Sequence, residues 1–126
     1  MGLDMTLYNA KGNEIYYWRK AYQIHYYLYY LATDEEYEWG DYTKMDKDWI
    51  PEYVTLELDR KHLENLLNLC EVVLKDRSKA SELLPTDEYA RSYDDTYYEQ
   101  LENIVKEFPS TLNNFTYEEK FEYHTC

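Results

Sequence analysis

The sequence is poor in glycine and cysteine, and its acidic residues outnumber its basic ones two to one. With only three glycines, the chain has no Gly-rich loop of the kind that cradles a phosphate. Cys70 and Cys126 have no second cysteine at CxxC spacing, so we expect neither a disulfide framework nor a zinc site. No apolar run approaches the roughly 18 residues of a membrane-spanning helix, and the first residues lack a signal-peptide pattern. These absences predict a cytoplasmic protein without a cofactor or a metal.

The charge of the chain limits its partners. Its 26 acidic and 13 basic residues give a formal net charge of −13. Direct binding of nucleic acid or of an anionic membrane needs an excess of Lys and Arg, so a partner with a basic surface is expected instead. Seventeen tyrosines supply rings for burial, and exposed aromatic patches would suit a homo-oligomer. By length, residues 1–126 form a single domain.

The first third of the chain changes its period within its most aromatic stretch. Residues 3–8 and Glu14–Trp18 predict two strands joined by a turn. From Ala21 onward the apolar residues recur at helical spacing, which predicts a helix. Arg19 and Lys20 lie at the joint, where the N-terminal end of the helix adds partial positive charge. If the strand continues through the joint, Lys20 lies on one face and Arg19 on the other.

The middle of the chain predicts a strand followed directly by a helix. The strand covers Tyr53–Leu58, and Asp59 is placed to cap the helix. Between residues 63 and 74 the apolar side chains form one stripe over about three turns, the pattern of a helix packed on a core. Residues 76–81 predict a polar linker, and residues 82–86 end in a turn.

The last third predicts one more helix and one more strand. Asp94 or Asp95 caps the helix, and Pro109 is expected to end it. Aromatic residues on alternate positions of 115–123 predict a strand that pairs near the N-terminus. Because strands and helices do not alternate strictly, the fold class is α+β: a small, mainly antiparallel sheet of about four strands with about three helices packed on it.

An ordered set of short motifs resembles an uncharacterised family of small phage- and prophage-encoded proteins. The motifs are MGLDM at residues 1–5, YWRKA at 17–21, Ile24-His25, a leucine-rich helix with a nearby cysteine matched by LLNLC at 66–70, and LLPT at 83–86. Two departures stand out: Tyr26-Tyr27 where relatives often have a Trp, and residues 87–92 where they often have a segment rich in Gly and Phe. The resemblance implies a viral origin and no particular reaction.

One cluster is a candidate ligand site: Trp18, Arg19, Lys20 and His25. Arg offers a fork for phosphate, Lys a point charge and Trp a face on which a base can stack. The alternative interpretation is structural, with Trp18 in the core and both cations paired with carboxylates, and it is favoured in so acidic a chain. A catalytic His25 would need a nucleophile for which the sequence shows no motif, so an enzyme is not expected.

The acidic residues are the candidate partner-binding surface. They lack the order of a calcium-binding loop, so no metal site is predicted from them. Rows of carboxylates can instead occupy a basic channel built for a nucleic acid. The candidates are Asp34, Glu35, Glu36, Glu38, Asp41, Asp46, Asp48, Asp87, Glu88, Asp94 and Asp95.

Two functions follow as hypotheses. The first is an acidic phage-encoded interaction protein that inhibits a host defence or nucleic-acid-handling protein by mimicking nucleic acid, in the manner of an anti-CRISPR protein. The second is a nucleotide-binding protein, or a sponge for a host signalling nucleotide, that uses the Trp-Arg-Lys/His cluster.

Overall fold

The fold is known from a computed structural model that describes residues 4–33, 54–84, 94–116 and 118–126. It has a four-stranded sheet of β1 (Asp4–Tyr8), β2 (Glu14–Arg19), β3 (Thr55–Asp59) and β4 (Lys120–Thr125). The strand order is β2-β1-β4-β3, and every neighbouring pair is antiparallel. The predicted α+β class is confirmed, as is the pairing of the last strand with the first.

A tight turn closes the β1–β2 hairpin. The side chain of Asn9 accepts hydrogen bonds from the backbone N–H groups of Lys11 and Asn13, at 3.0 and 2.9 Å. Gly12 has a φ of 83°, a left-handed conformation that glycine adopts readily because glycine has no Cβ. The hairpin fixes the register, in which Met5 lies opposite Trp18 and therefore shares its face of the sheet.

The helices among the described residues supply the other layer. They are α1 (Tyr22–Thr33), α2 (Arg60–Lys75), a four-residue α3 (Ala80–Leu83) and α4 (Asp95–Asn113), with a 3-10 turn at Arg77–Lys79. Leu63, Leu66, Cys70 and Val73 of the predicted α2 stripe are buried, while Leu67 and Leu74 are partly buried at the margin of the core. Asp59 caps the first turn of α2. The linker expected after α2 is partly helical instead, because Ala80, Leu83 and Leu84 are buried in the core.

Pro109 does not end α4, contrary to the sequence prediction. The helix continues to Asn113, although proline removes one backbone N–H and disfavours a helical residue before it. Tertiary contacts hold the last turn: Leu112 is buried, and the Arg60 guanidinium donates to the carbonyls of Leu112 and Phe115 at 2.6 and 2.7 Å. Leu112 belongs to the last turn, whose carbonyls have no partner within the helix, and Phe115 lies in the turn just beyond it.

The last strand is shorter at its start than its sequence pattern suggested. β4 begins at Lys120 rather than at Phe115, because α4 extends to Asn113 and a turn must follow it. Phe115 lies in that turn and still packs edge-on against Phe121, with ring centroids 5.4 Å apart. Phe121 and Tyr123 are buried as the alternation of aromatics predicted, but the strand is shorter than that alternation suggested.

The described helices include none that combines the length and the apolar character needed to cross a bilayer.

Candidate functional site

The joint between β2 and α1, at the predicted ligand cluster, has an unusual backbone conformation. β2 ends at Arg19, and Lys20 then adopts a φ of 55°, so it belongs to neither element. The carbonyl of Ala21 accepts from the N–H groups of Ile24 and His25, both at 3.0 Å, which begins α1. Lys20 therefore does not continue the alternation of the strand.

Trp18, the first of the four predicted ligand residues, lies in the core. It is 4% exposed, and its ring lies 4.6 Å from that of Tyr16 and 5.9 Å from that of Phe108, between centroids. Among the described residues, no acceptor lies within hydrogen-bond distance of its indole N–H. The structural interpretation of Trp18 fits this position, because a buried ring has no face on which a base can stack.

His25 is also a core residue. It is 1% exposed, and its Nδ1 lies 2.7 Å from the hydroxyl of Tyr123 on β4. Burial raises the pKa of Tyr123, so this hydroxyl stays protonated. The pair ties α1 to the sheet, and His25 cannot reach a molecule bound at the surface.

Arg19 and Lys20 are the members of the cluster that remain exposed. The Arg19 side chain is 67% exposed, and its Nε lies 3.9 Å from a carboxylate oxygen of Asp4. The hydroxyl of Tyr17 donates to the same oxygen at 2.5 Å, and this hydrogen bond raises the pKa of Tyr17. In the described part of the chain, Lys20 has no carboxylate within ion-pair distance. The structure thus divides the four residues into a buried half and an exposed half.

The two exposed cations line an open cavity of about 270 Å³ together with Thr96 and Gln100 of α4. We call this cavity the Arg19–Lys20 cleft. The amide of Gln100 donates to the Arg19 carbonyl at 3.1 Å and accepts from the amide of Gln23 at 2.8 Å. Gln100 therefore binds the end of β2 and the start of α1 to α4, and the cleft has fixed walls. Its α4 residues were not foreseen, because only the tertiary fold brings Gln100 next to Arg19, 81 positions away.

A second cavity, of about 290 Å³, adjoins the cleft and shares Arg19, Thr96 and Gln100 with it. Its wall along β2 is aromatic and includes Tyr17, which is 49% exposed. Glu99 and Asn103 line its α4 side. A cationic cleft and an aromatic groove thus lie side by side along the edge of the sheet.

The predicted partner-binding acids fall in two groups. Asp94 and Asp95 are exposed, and Asp94 caps α4 by accepting from the N–H of Tyr97 at 3.0 Å. The others lie outside the described residues: Asp34, Glu35, Glu36, Glu38, Asp41, Asp46, Asp48, Asp87 and Glu88.

The first two turns of α4 carry further exposed carboxylates that the sequence prediction missed. Glu99 and Glu102 are exposed and follow Asp95 at spacings of four and three residues, which places them on one side of the helix. We call Asp94, Asp95, Glu99 and Glu102 the α4 acidic stripe. Helical spacing counted from the capping aspartate would have identified the last two. No basic residue interrupts the stripe between positions 94 and 105.

The outer face of the sheet adds a second acidic patch. Glu57 of β3 lies directly opposite Glu122 of β4, and both side chains are exposed. Like charges in this position repel, which is tolerable where water screens them. Within the described ranges, no three side chains of the types that bind metals come together as a metal site.

No protein-family model, curated protein or solved structure matches the chain.

Proposed function

We propose that this protein is a phage-encoded inhibitor that acts in the host cytoplasm. Its acidic surface binds a host defence or nucleic-acid-handling protein at a basic site meant for nucleic acid, and blocks it without catalysis. The α4 acidic stripe is the observation that carries the proposal. It is a row of exposed carboxylates on a long helix whose opposite side is anchored in the core by Leu101, Ile104 and Phe108.

The spacing of the stripe supports mimicry of a nucleic-acid strand. Asp95, Glu99 and Glu102 span about 10 Å of helix axis at the α-helical rise, or about one charge in every 5 Å. Successive phosphates of one DNA strand are about 3.4 Å apart along the axis. The stripe is therefore less dense than a single DNA strand by a factor below two, and acids outside the described residues add to the net negative charge.

Two features of the stripe favour a protein partner over a role in stability alone. Asp94 and Asp95 stabilise α4, since carboxylates at a helix N-terminus complement its dipole. Glu99 and Glu102 lie beyond the first turn, where that benefit has fallen away. Their charges raise the self-repulsion of an already acidic chain, and a basic partner would offset that cost.

The second hypothesis, a nucleotide site built from Trp18, Arg19, Lys20 and His25, has less support as it stands. Stacking on Trp18 and proton transfer by His25 both need access to solvent, and both side chains are in the core. We therefore do not propose that four-residue site as the function.

The test is a capture experiment with duplex DNA as competitor. The immobilised protein is exposed to host lysate at low salt, and retained proteins are eluted either with duplex DNA or with salt. We expect DNA to displace a nucleic-acid-binding protein, because both ligands occupy one basic site. The variant D94N/D95N/E99Q/E102Q should retain at least about tenfold less of it, since each ion pair at an interface contributes on the order of 1 kcal/mol. Asp94→Asn keeps the helix cap, because asparagine also caps.

A second variant separates surface position from total charge. E14Q/E57Q/E118Q/E122Q removes the same number of exposed carboxylates away from α4. It should retain the host protein nearly as well as the parent, and so should Arg19→Ala. Equal loss with both quadruple variants, or retention that duplex DNA leaves unchanged, contradicts mimicry by α4.

A further inference from the structure

We propose that the Arg19–Lys20 cleft binds the phosphate group of a small molecule, with Arg19 and Lys20 as ligands from the strand–helix joint and Thr96 as a ligand from α4. This site is distinct from the α4 acidic stripe, and it does not depend on the proposed binding to a basic protein. It also differs from the four-residue cluster predicted by the sequence, because it omits Trp18 and His25.

The backbone of Lys20 is the first observation. At a φ of 55°, the Cβ of an L-residue comes too close to the backbone, so the conformation is strained. Glycine adopts it without strain, and asparagine tolerates it. A lysine at this turn therefore costs stability that either of those residues would restore. Strain of this kind is concentrated at binding sites. The gain at Lys20 is a cationic residue in the lining of the cleft.

The rigidity of the joint is the second observation. The Gln100 side chain donates to the backbone carbonyl of Arg19 and accepts from the side-chain amide of Gln23, which ties the residues on either side of Lys20 to α4. Gln23 is itself buried. Because the backbone that carries both cations is already fixed, binding has to order only their side chains, which costs less entropy than ordering a mobile loop as well.

The charge balance of the cleft is the third observation. The Lys20 ammonium has no carboxylate partner among the described residues, and Arg19 has only a long contact with Asp4. Arg can donate two parallel hydrogen bonds to a phosphate, and Lys adds a point charge. A phosphate offers both groups a partner that the protein does not supply at close range.

The adjoining groove indicates what the phosphate would be attached to. Tyr17 and Trp18 both line it, but Tyr17 is 49% exposed and Trp18 only 4%, so Tyr17 presents the accessible ring next to the cations. Aromatic rings beside a phosphate site are suited to a base. Nucleoside monophosphates and inorganic phosphate share the phosphate chemistry, and the experiment must distinguish them.

The test is an NMR titration at low ionic strength, followed through the backbone amide of Thr96. The probes are inorganic phosphate, adenosine 5′-monophosphate and adenosine. We expect both phosphates to give saturable shifts and adenosine to give none. Tighter binding of the monophosphate would identify a nucleotide as the ligand, and equal binding would identify phosphate itself. No saturable shift with either phosphate, or adenosine binding as tightly as its monophosphate, would overturn the proposal.

Three substitutions test the residues. Lys20→Asn should weaken phosphate binding by about tenfold, the loss expected for one charged hydrogen bond, while the melting temperature holds or rises because asparagine relieves the strain. Lys106→Gln also removes one positive charge, from an exposed position about 15 Å beyond Thr96 along α4. This variant should bind phosphate as tightly as the parent does. Asp4→Asn should tighten binding severalfold, because it removes the carboxylate that competes for Arg19. Equal affinities for Lys20→Asn and Lys106→Gln would refute the site.

Discussion

At the scale of single residues, tyrosine gives this core its polar character. Tyr97 and Tyr123 are buried, and each hydroxyl makes a specific bond: Tyr97 donates to the Leu84 carbonyl at 2.7 Å, and Tyr123 contacts His25 Nδ1 at 2.7 Å. A buried polar atom left without a partner loses its solvation and gains nothing in return. Such pairs therefore fix which elements meet, more specifically than apolar contacts do.

The substitution Tyr123→Phe tests this role. It removes the hydroxyl and keeps the ring, so the only direct loss is the contact with His25. We expect the free energy of unfolding to fall by about 1–3 kcal/mol, the cost of leaving a buried polar group unpaired. Urea denaturation measures it. Tyr17→Phe is the matched control, because it removes an exposed hydroxyl bonded to Asp4, and it should change stability little. Equal losses of unfolding free energy for the two substitutions would show that the buried contact with His25 stabilises the fold no more than the exposed one with Asp4.

At the scale of elements, the N-terminus of α2 carries a pH-sensitive cap. Asp59 accepts from the N–H of His62 at 3.1 Å, and His62 Nδ1 accepts from the N–H of Asp59 at 3.2 Å, which forms a reciprocal capping box. Only a neutral imidazole can accept in this way. Burial lowers the pKa of His62, and nearby Lys120 and Lys61 lower it further, while the Asp59 carboxylate opposes them.

The pH dependence of stability follows from this shift. The folded pKa of His62 lies below its unfolded value, which is about 6.5, so the unfolded chain binds more protons between the two values. The cap therefore contributes fully above the unfolded pKa, and its contribution is lost as the pH falls toward the folded pKa.

A comparison with His62→Gln isolates the effect. Glutamine at this position also accepts from the capping residue and does not titrate. Unfolding free energies at pH 7.5 and 5.5 should show the parent losing more stability than His62→Gln, because all other titrating groups are common to both. A parent that loses no more than the variant would show that protonation of His62 leaves the cap intact.

At the scale of the whole molecule, the net charge of −13 sets how the protein responds to salt. Exposed like charges on α4 and on the outer face of the sheet repel one another, and salt screens that repulsion. Binding to a basic partner has the opposite dependence, since salt also screens attraction. Stability and binding should therefore change in opposite directions as salt is raised.

Thermal unfolding at two salt concentrations tests how stability depends on salt. Raising NaCl from about 10 to about 100 mM shortens the Debye length from about 30 to about 10 Å, and we expect the melting temperature to rise by a few degrees. The variant E14Q/E57Q/E118Q/E122Q, which carries four fewer negative charges, should respond less. A melting temperature that falls with salt would mean that attractive ion pairs outweigh the repulsion.

The sequence by itself determined the local elements. The stripe of α2 and its capping aspartate depend only on spacing along the chain, and the structure has both. The hairpin of β1 and β2 likewise followed from alternation and one turn. These features are predictable because the contacts that make them join residues close in sequence.

The tertiary structure decided the ends of elements and the fate of the ligand cluster. Pro109 should stop a helix, but the buried Leu112 and the Arg60 side chain, about 50 residues away, carry α4 past it. Alternation places Trp18 and Arg19 on opposite faces of β2, yet only the helices determine which face is covered. Packing against Phe108 buries Trp18 and leaves Arg19 outside. Burial is set by the residues that fold back from elsewhere in the chain, and local spacing carries no information about them.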